Sequence, residues 1–165
     1  MNKQLQNKLL RMQARDQKMR KSGRWETGVD RKNTILLKKI IEKYGWPDVH
    51  LVGKRGSNAA WLIAQHADHN PSFQRRCLKL MSNPKISTYV SPIHIAYLTD
   101  RVRVNAGRWQ VYGTQFYGKK DGRISPRPIQ DKRNLDKRRE HMGLELFDRY
   151  RKKMIIVARE IDKKK

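Results

Sequence analysis

Over residues 1–21 the apolar side chains Leu5, Leu9, Leu10, Met12 and Met19 recur on a helical repeat, with Lys, Arg and Gln filling the positions between them. The pattern predicts one long amphipathic helix with a narrow apolar stripe and a strongly basic face. Ser22-Gly23-Arg24 breaks it. Helical spacing resumes over 34–44 at Ile35, Leu36, Ile40 and Ile41, with Asp30 to Asn33 supplying caps, and Gly45-Trp46-Pro47 ends this second helix. Residues 49–52 read as a short extended segment, followed by a flexible basic turn from Gly53 to Gly56 around Lys54 and Arg55.

The most informative stretch is 58–69, Asn-Ala-Ala-Trp-Leu-Ile-Ala-Gln-His-Ala-Asp-His. Its first half reads as a buried helix capped by Ser57 or Asn58, and its second half gathers polar side chains that a core normally excludes. Asn70-Pro71 ends this helix and starts the next, which runs to about residue 82. After a turn-rich loop over 83–90, Ser91-Pro92 opens a helix to about residue 106, with Ile93, Ala96, Tyr97, Val102 and Val104 facing inward. Alternation then takes over from 109 to 117 and pairs with 124–129 across the turn at Asp121-Gly122, as a β-hairpin would. Residues 135–161 read as helix broken at Gly143, with a Lys tail behind them. The expected fold is mainly α (α+β): a helical domain over 24–151 with one hairpin near 109–129, a basic amphipathic helix over 1–23, and a basic end over 152–165.

Charge changes this picture. The chain carries +24 with a pI near 10.6, while its 37% hydrophobic content is enough for a core. Lys and Arg outnumber Asp and Glu by 13 to 4 over residues 1–43, 13 to 4 over 44–129 and 13 to 7 over 130–165, so the excess is spread along the whole chain. Such a field attracts a polyanion, RNA or DNA, or a nucleotide, through phosphates. A general compositional preference for Lys and Arg is the competing explanation. A lone cysteine, Cys77, sits in the apolar pattern of a helix, which excludes an intrachain disulfide and reads as a packed thiol. With no apolar run of membrane-spanning length and no signal-peptide core, the expectation is a cytoplasmic protein without a membrane.

The candidate chemistry centres on Gln65, His66, Asp68 and His69. His66 and His69, three apart, lie on neighbouring positions of one helical face with Gln65 beside them, where two imidazoles act as acid and base or share a divalent metal. Further metal ligands would have to come from Asp100, His94 or His141, and no spacing marks them. Asp68 points about 160° away from His66 and orients a neighbour or caps the next helix. The competing reading has the cluster as a hydrogen-bonded core that holds the helix break. Tyr97, Asp100 and Arg101 join a phenol, a carboxylate and a guanidinium at spacings of three and four. Arg101 either pairs with Asp100 or Asp68, or serves as a fork for an anion. In the hairpin, Gly113 allows close approach and Gln115 offers an amide that packing alone does not explain. Lys54 and Arg55, with Lys119 and Lys120 in the hairpin turn, form the candidate phosphate surface. Trp46 and Trp61 read as core, whereas Trp109, Tyr112, Phe116 and Tyr117 beside Arg108, Lys119 and Lys120 form the mixture that single-strand binders use, although no RNA-binding motif accompanies them.

Several runs, among them Gly45-Trp46-Pro47, Ala59-Ala60-Trp61-Leu62…Gln65-His66-Ala67-Asp68-His69, Phe73-Gln74-Arg75-Arg76-Cys77-Leu78, Ala96-Tyr97-Leu98-Thr99-Asp100-Arg101 and Tyr112-Gly113-Thr114-Gln115, resemble the motifs of an uncharacterised bacterial family, a domain of unknown function. They lie in order between about residues 30 and 144. The resemblance implies a mainly helical domain and no particular activity, and the basic N-terminal helix and Lys tail lie outside its motifs.

The sequence thus favours an enzyme that uses His66 and His69, with Asp68, on a phosphate-bearing ligand held by Arg101 and Gln115. The alternative is a non-enzymatic RNA- or DNA-binding protein whose polar cluster is structural. A lesser alternative is an interaction protein whose basic helix meets an acidic partner.

Overall fold

The computed structural model describes residues 1–22, 26, 28–118 and 123–160, together with the backbone of 161–162. Lys119, Lys120, the Asp121-Gly122 turn, the Gly23-Arg24 break and the Lys tail lie outside the described residues. The fold is mostly α, with seven α-helices and one two-stranded antiparallel hairpin among the described residues. The chain divides into two compact units, Met1–Leu98 and Thr99–Lys165.

In the first unit, α1 (Lys3–Ser22) buries Leu5, Leu9, Met12, Asp16 and Met19. The alternating steps of four and three keep these side chains on one stripe, and the helix packs along α3 (Val49–Gln65). α2 (Val29–Tyr44) starts a turn earlier than the caps suggest, behind Gly28 in a left-handed conformation at φ 93°. The reason is visible in its buried face: Val29, Leu37, Ile40 and Ile41 form the apolar repeat with the buried Asn33 among them, whereas Ile35 is exposed. Asp30 and Asn33 therefore lie inside the helix instead of capping it.

Residues 49–56 are not an extended segment and a turn. They are the first half of α3, capped by Asp48, whose carboxylate accepts from the Leu51 amide at 2.9 Å. Gly53 introduces a kink at φ 67°. Its role is close approach: a Cβ there would lie 2.9 Å from Gln6 Nε2, and that side-chain amide donates to Val52 O at 2.8 Å. α4 (Pro71–Met81) begins as its sequence implies, with Asn70 Oδ1 accepting from the Phe73 amide at 3.1 Å and Pro71 in the first turn. Cys77 is fully buried in α4, and burial pushes its thiol up to about 12, so it packs as an inert side chain.

α5 (Pro92–Asn105) carries the border between the units. It buries Ala96, Leu98 and Val102, while Ile93 is exposed. The second unit continues with β1 (Phe116–Gly118), β2 (Ile124–Pro126), α6 (Leu135–His141) and α7 (Phe147–Asp162). The hairpin pairs Phe116 with Pro126, Tyr117 with Ser125 and Gly118 with Ile124. It is shorter than the alternation predicts, because residues 109–115 do not form a strand; only an isolated bridge joins Gln110 to Ile129. Their amide groups are spent elsewhere. Asp100, fully buried, accepts from the amides of Val111 at 2.6 Å, Tyr112 at 3.0 Å and Thr114 at 2.9 Å, and from Thr114 Oγ1 at 2.9 Å. Gly113 makes the turn at φ 70° beneath the Phe147 ring, where a Cβ would come within 2.8 Å of a ring carbon. Gln115 therefore lies in this loop and not on a strand.

Candidate functional site

Asp16 is the residue on which the first unit's polar cluster is built. It continues the apolar stripe of α1, so the helix carries its carboxylate inward to 1% exposure. There Oδ1 and Oδ2 lie 2.9 and 3.1 Å from Nδ1 of His66, fifty positions along the chain. His66 is the C-cap residue of α3 and its side chain is 18% exposed. Arg20, one turn after Asp16, brings Nε to 3.2 Å from Asp16 Oδ1 and to 3.0 Å from His66 Nδ1, and Nη2 to 2.8 Å from Asp30 Oδ1. Gln17 Nε2 donates to Asp16 Oδ2 at 2.8 Å. Burial pushes the Asp16 carboxyl up, but its hydrogen bond and charge attraction to His66, the Gln17 amide and the Arg20 guanidinium outweigh burial and hold it below the usual carboxylate range. His66 Nδ1 is thus shared between Asp16 and Arg20: carrying a proton it donates to the carboxylate, and without one it accepts from Arg20 Nε. Among the described residues nothing hydrogen-bonds the other ring nitrogen, Nε2.

The remaining members of the predicted cluster separate into different roles. α3 ends at Gln65, and 66–70 is a turn, so the shared helical face expected for His66 and His69, and the opposed direction expected for Asp68, do not arise. His69 and Asp68 are exposed. Asp68 Oδ1 accepts from Nε2 of Gln74, a fully buried α4 side chain that also reaches the carbonyls of Ala64 and Gln65. This amide braces the α3–α4 turn beside His66. Gln65 is buried with its Oε1 unpartnered among the described residues. Lys54 and Arg55 are exposed on α3, and Arg55 joins Arg11 and Gln17 of α1 around an open cleft of about 580 Å³.

Tyr97 and His94, also in the first unit, meet Trp61. The His94 ring stacks on the indole with centroids 4.1 Å apart and planes 5° apart, and Tyr97 meets it edge-on at 5.9 Å. Burial lowers the His94 imidazole to about 4, so it is neutral at ordinary pH. An unfolded chain binds this proton at about pH 6.5 and the folded one only near pH 4, so stability falls as pH drops through that interval and levels off below it. Replacing His94 with Phe is expected to flatten this part of the profile, read from urea midpoints at pH 7 and pH 4.5. An equal drop in both proteins counts against the assignment.

In the second unit, Asp100 and Arg101 do not pair. Asp100 organises the 111–114 loop, and Arg101 Nη1 donates to Gln115 Oε1 at 2.9 Å. Gln115 Nε2 donates to Thr114 Oγ1, and its backbone is held by the buried Gln110, whose Oε1 accepts from the Gln115 amide at 2.8 Å. Arg139, at 1% exposure, donates to the carbonyls of Tyr112 and Glu145 between the rings of Phe147 and Tyr150. The exposed His141 shares an open cleft of about 520 Å³ with Tyr112, Lys137 and Arg138. Burial and the Asp100 charge raise the Tyr112 phenol, and Arg138 opposes them. Among the described residues no group of three or more His, Cys, Asp or Glu is arranged to hold a metal ion, and Asp100, His94 and His141 do not join His66 and His69 in one.

Sequence reasoning passed over Asp16, Arg20, Gln74, Gln110 and Arg139. Only Asp16 leaves a readable signal: a carboxylate occupying the next place in the series Leu5, Leu9, Met12, before Met19.

The model of a family of unknown function, DUF6624, matches residues 3–158. The matched span takes in α1, and with it Asp16 and Arg20. No curated protein and no solved structure matches the chain.

Proposed function

The chain belongs to DUF6624, a family of unknown function, and from that premise we propose that it is an enzyme in which His66 acts as general acid or base on a phosphate-bearing ligand, a nucleotide or a nucleic acid. The observation that carries the reading is the buried Asp16 carboxylate, 2.9 Å from His66 Nδ1. A carboxylate there holds the imidazole in the tautomer whose Nε2 is basic, and it stabilises the imidazolium formed when Nε2 takes a proton. Arg20 and Asp30 offset each other at 2.8 Å, so Arg20 steadies Asp16 instead of binding ligand. The phosphate preference rests on charge: residues 1–98 carry 19 Lys and Arg against 6 Asp and Glu. In the cytoplasm, nucleotides and RNA supply such ligands.

One observation favours a second reading. Asp16, His66, Arg20 and Asp30 satisfy one another, as a purely structural brace between α1, α2 and the end of α3 would. The protein would then bind RNA or DNA without turning it over.

Incubation with nucleoside phosphates and with RNA and DNA oligonucleotides, followed by chromatography of the products, separates the two. Turnover is expected to fall about 100-fold or more in His66→Gln, the scale of general acid–base catalysis. Turnover unaffected by that change overturns the proposal, as does its complete absence from the wild-type protein. Salt-sensitive polynucleotide binding without turnover, surviving His66→Gln, would establish the second reading.

A further inference from the structure

We propose that Trp109 and the cationic rim beside it form a stacking platform for single-stranded nucleic acid. The proposal concerns the second unit alone and does not rest on the acid–base reading of His66.

Trp109 is 61% exposed, and what distinguishes it from other exposed apolar side chains is that its indole lines an open cleft between cationic residues. Its backbone is held in place. Arg103 Nε donates to the Trp109 carbonyl at 2.6 Å, and Arg103 Nη2 to Gln130 Oε1 at 2.8 Å. On the preceding side the Arg108 amide donates to Arg103 O at 2.8 Å; on the following side the Gln110 amide donates to Pro128 O at 2.9 Å, and Gln110 O accepts from the Gln130 amide at 2.8 Å. With the backbone anchored, only the two side-chain torsions of the indole need ordering when a ligand covers its large contact face.

The indole lines an open cleft of about 420 Å³, whose other walls are Pro128, Ile129, Asp131, Lys132 and Arg133. The volume lies in the range of small-molecule sites. The inner surface is apolar, from Trp109, Pro128 and Ile129, and the rim carries Lys132 and Arg133. Asp131 is the lining carboxylate, and its charge is offset by Arg138 Nη1 at 3.2 Å, with Asn134 Nδ2 donating at 2.9 Å. Arg108 adds an exposed cation next to the indole in sequence.

A flat π-surface with flanking cations matches a ligand that alternates flat bases with phosphates. Duplex bases are already stacked on one another and cannot present a face to the indole. An acidic polypeptide satisfies the cations and leaves the indole exposed. An anionic membrane calls for a protruding aromatic tip, whereas this indole forms the wall of a cleft.

The test is fluorescence anisotropy at low salt with labelled oligothymidylate and oligouridylate, challenged by the corresponding duplex, polyglutamate and anionic vesicles. Both single strands are expected to bind in preference to duplex, and the two probes compare DNA with RNA. Trp109→Ala is expected to weaken binding about tenfold or more, with most of the loss restored in Trp109→Phe. The double substitution Lys132→Gln with Arg133→Gln is expected to lower the slope of log affinity against log salt by roughly 1.4, at about 0.7 per phosphate contact. Because these side chains are exposed, thermal melts should match the wild-type protein. The proposal is overturned by an absence of binding, by wild-type affinity in Trp109→Ala, or by equal competition from duplex, polyglutamate or vesicles. His66→Gln is expected to bind single strands normally, so failure at either site is told apart from failure at the other.

Discussion

Asp100→Ala is expected to destabilise the protein by about 3–5 kcal/mol, a large part of the roughly 5–15 kcal/mol that holds a domain folded. The buried carboxylate accepts from the amides of Val111, Tyr112 and Thr114 and from the Thr114 hydroxyl. Removing it strands three amides where no strand partner exists, because 109–115 is loop. An unmade hydrogen bond at a buried group costs about 1–3 kcal/mol, and relaxation of the loop toward water recovers part of the sum. Asp100→Asn keeps one acceptor oxygen but turns an NH₂ group toward amide donors, so it should lose roughly half as much. Urea denaturation measures both values. Hydrogen exchange should show protection lost first at Val111, Tyr112 and Thr114. A loss below about 1 kcal/mol for the Ala variant would mean that the loop holds its shape without the carboxylate.

Asp16→Ala is the second large effect, also expected at about 3–5 kcal/mol, since it leaves Arg20 and a partly buried His66 without their shared partner. Part of this loss should be absent from a double variant that also carries His66→Ala, because the orphaned imidazole is then gone. The pH dependence follows from the lowered Asp16 carboxyl. Its contribution is fully present above about pH 3.8, the unfolded value, and disappears as pH falls through the lower folded value. That window lies below the one assigned to His94, so acid unfolding of the wild-type protein should show both segments, and the Asp16 variant only the upper one. Additive single substitutions in the cycle would show that Asp16 and His66 do not act as a pair.

Much of the helical framework was legible residue by residue. Asn70-Pro71, Ser91-Pro92 and Gly45-Trp46-Pro47 mark boundaries that the helices keep, because capping and proline sterics operate within a few residues. The errors have a physical pattern. Gly53-Lys54-Arg55-Gly56 reads as a turn, yet its two glycines leave room for the Gln6 side chain of α1, a use that depends on another helix. The alternation over 109–117 reads as a strand, yet Asp100 captures its amides. Asp16 reads as one more polar position on a basic helix, yet it occupies the apolar stripe.

The sequence by itself determined the helix boundaries at Gly45-Trp46-Pro47, Asn70-Pro71 and Ser91-Pro92, that one hairpin exists, that Cys77 packs, and that polar side chains follow Gln65. Tertiary structure alone decided which polar groups meet. His66 finds Asp16 rather than His69, and Asp100 finds backbone amides rather than Arg101. Periodicity reports the face of a helix through its local repeat, whereas a partner fifty positions away is set by how α1 lies along α3. That is a property of packing, and no spacing within either helix contains it.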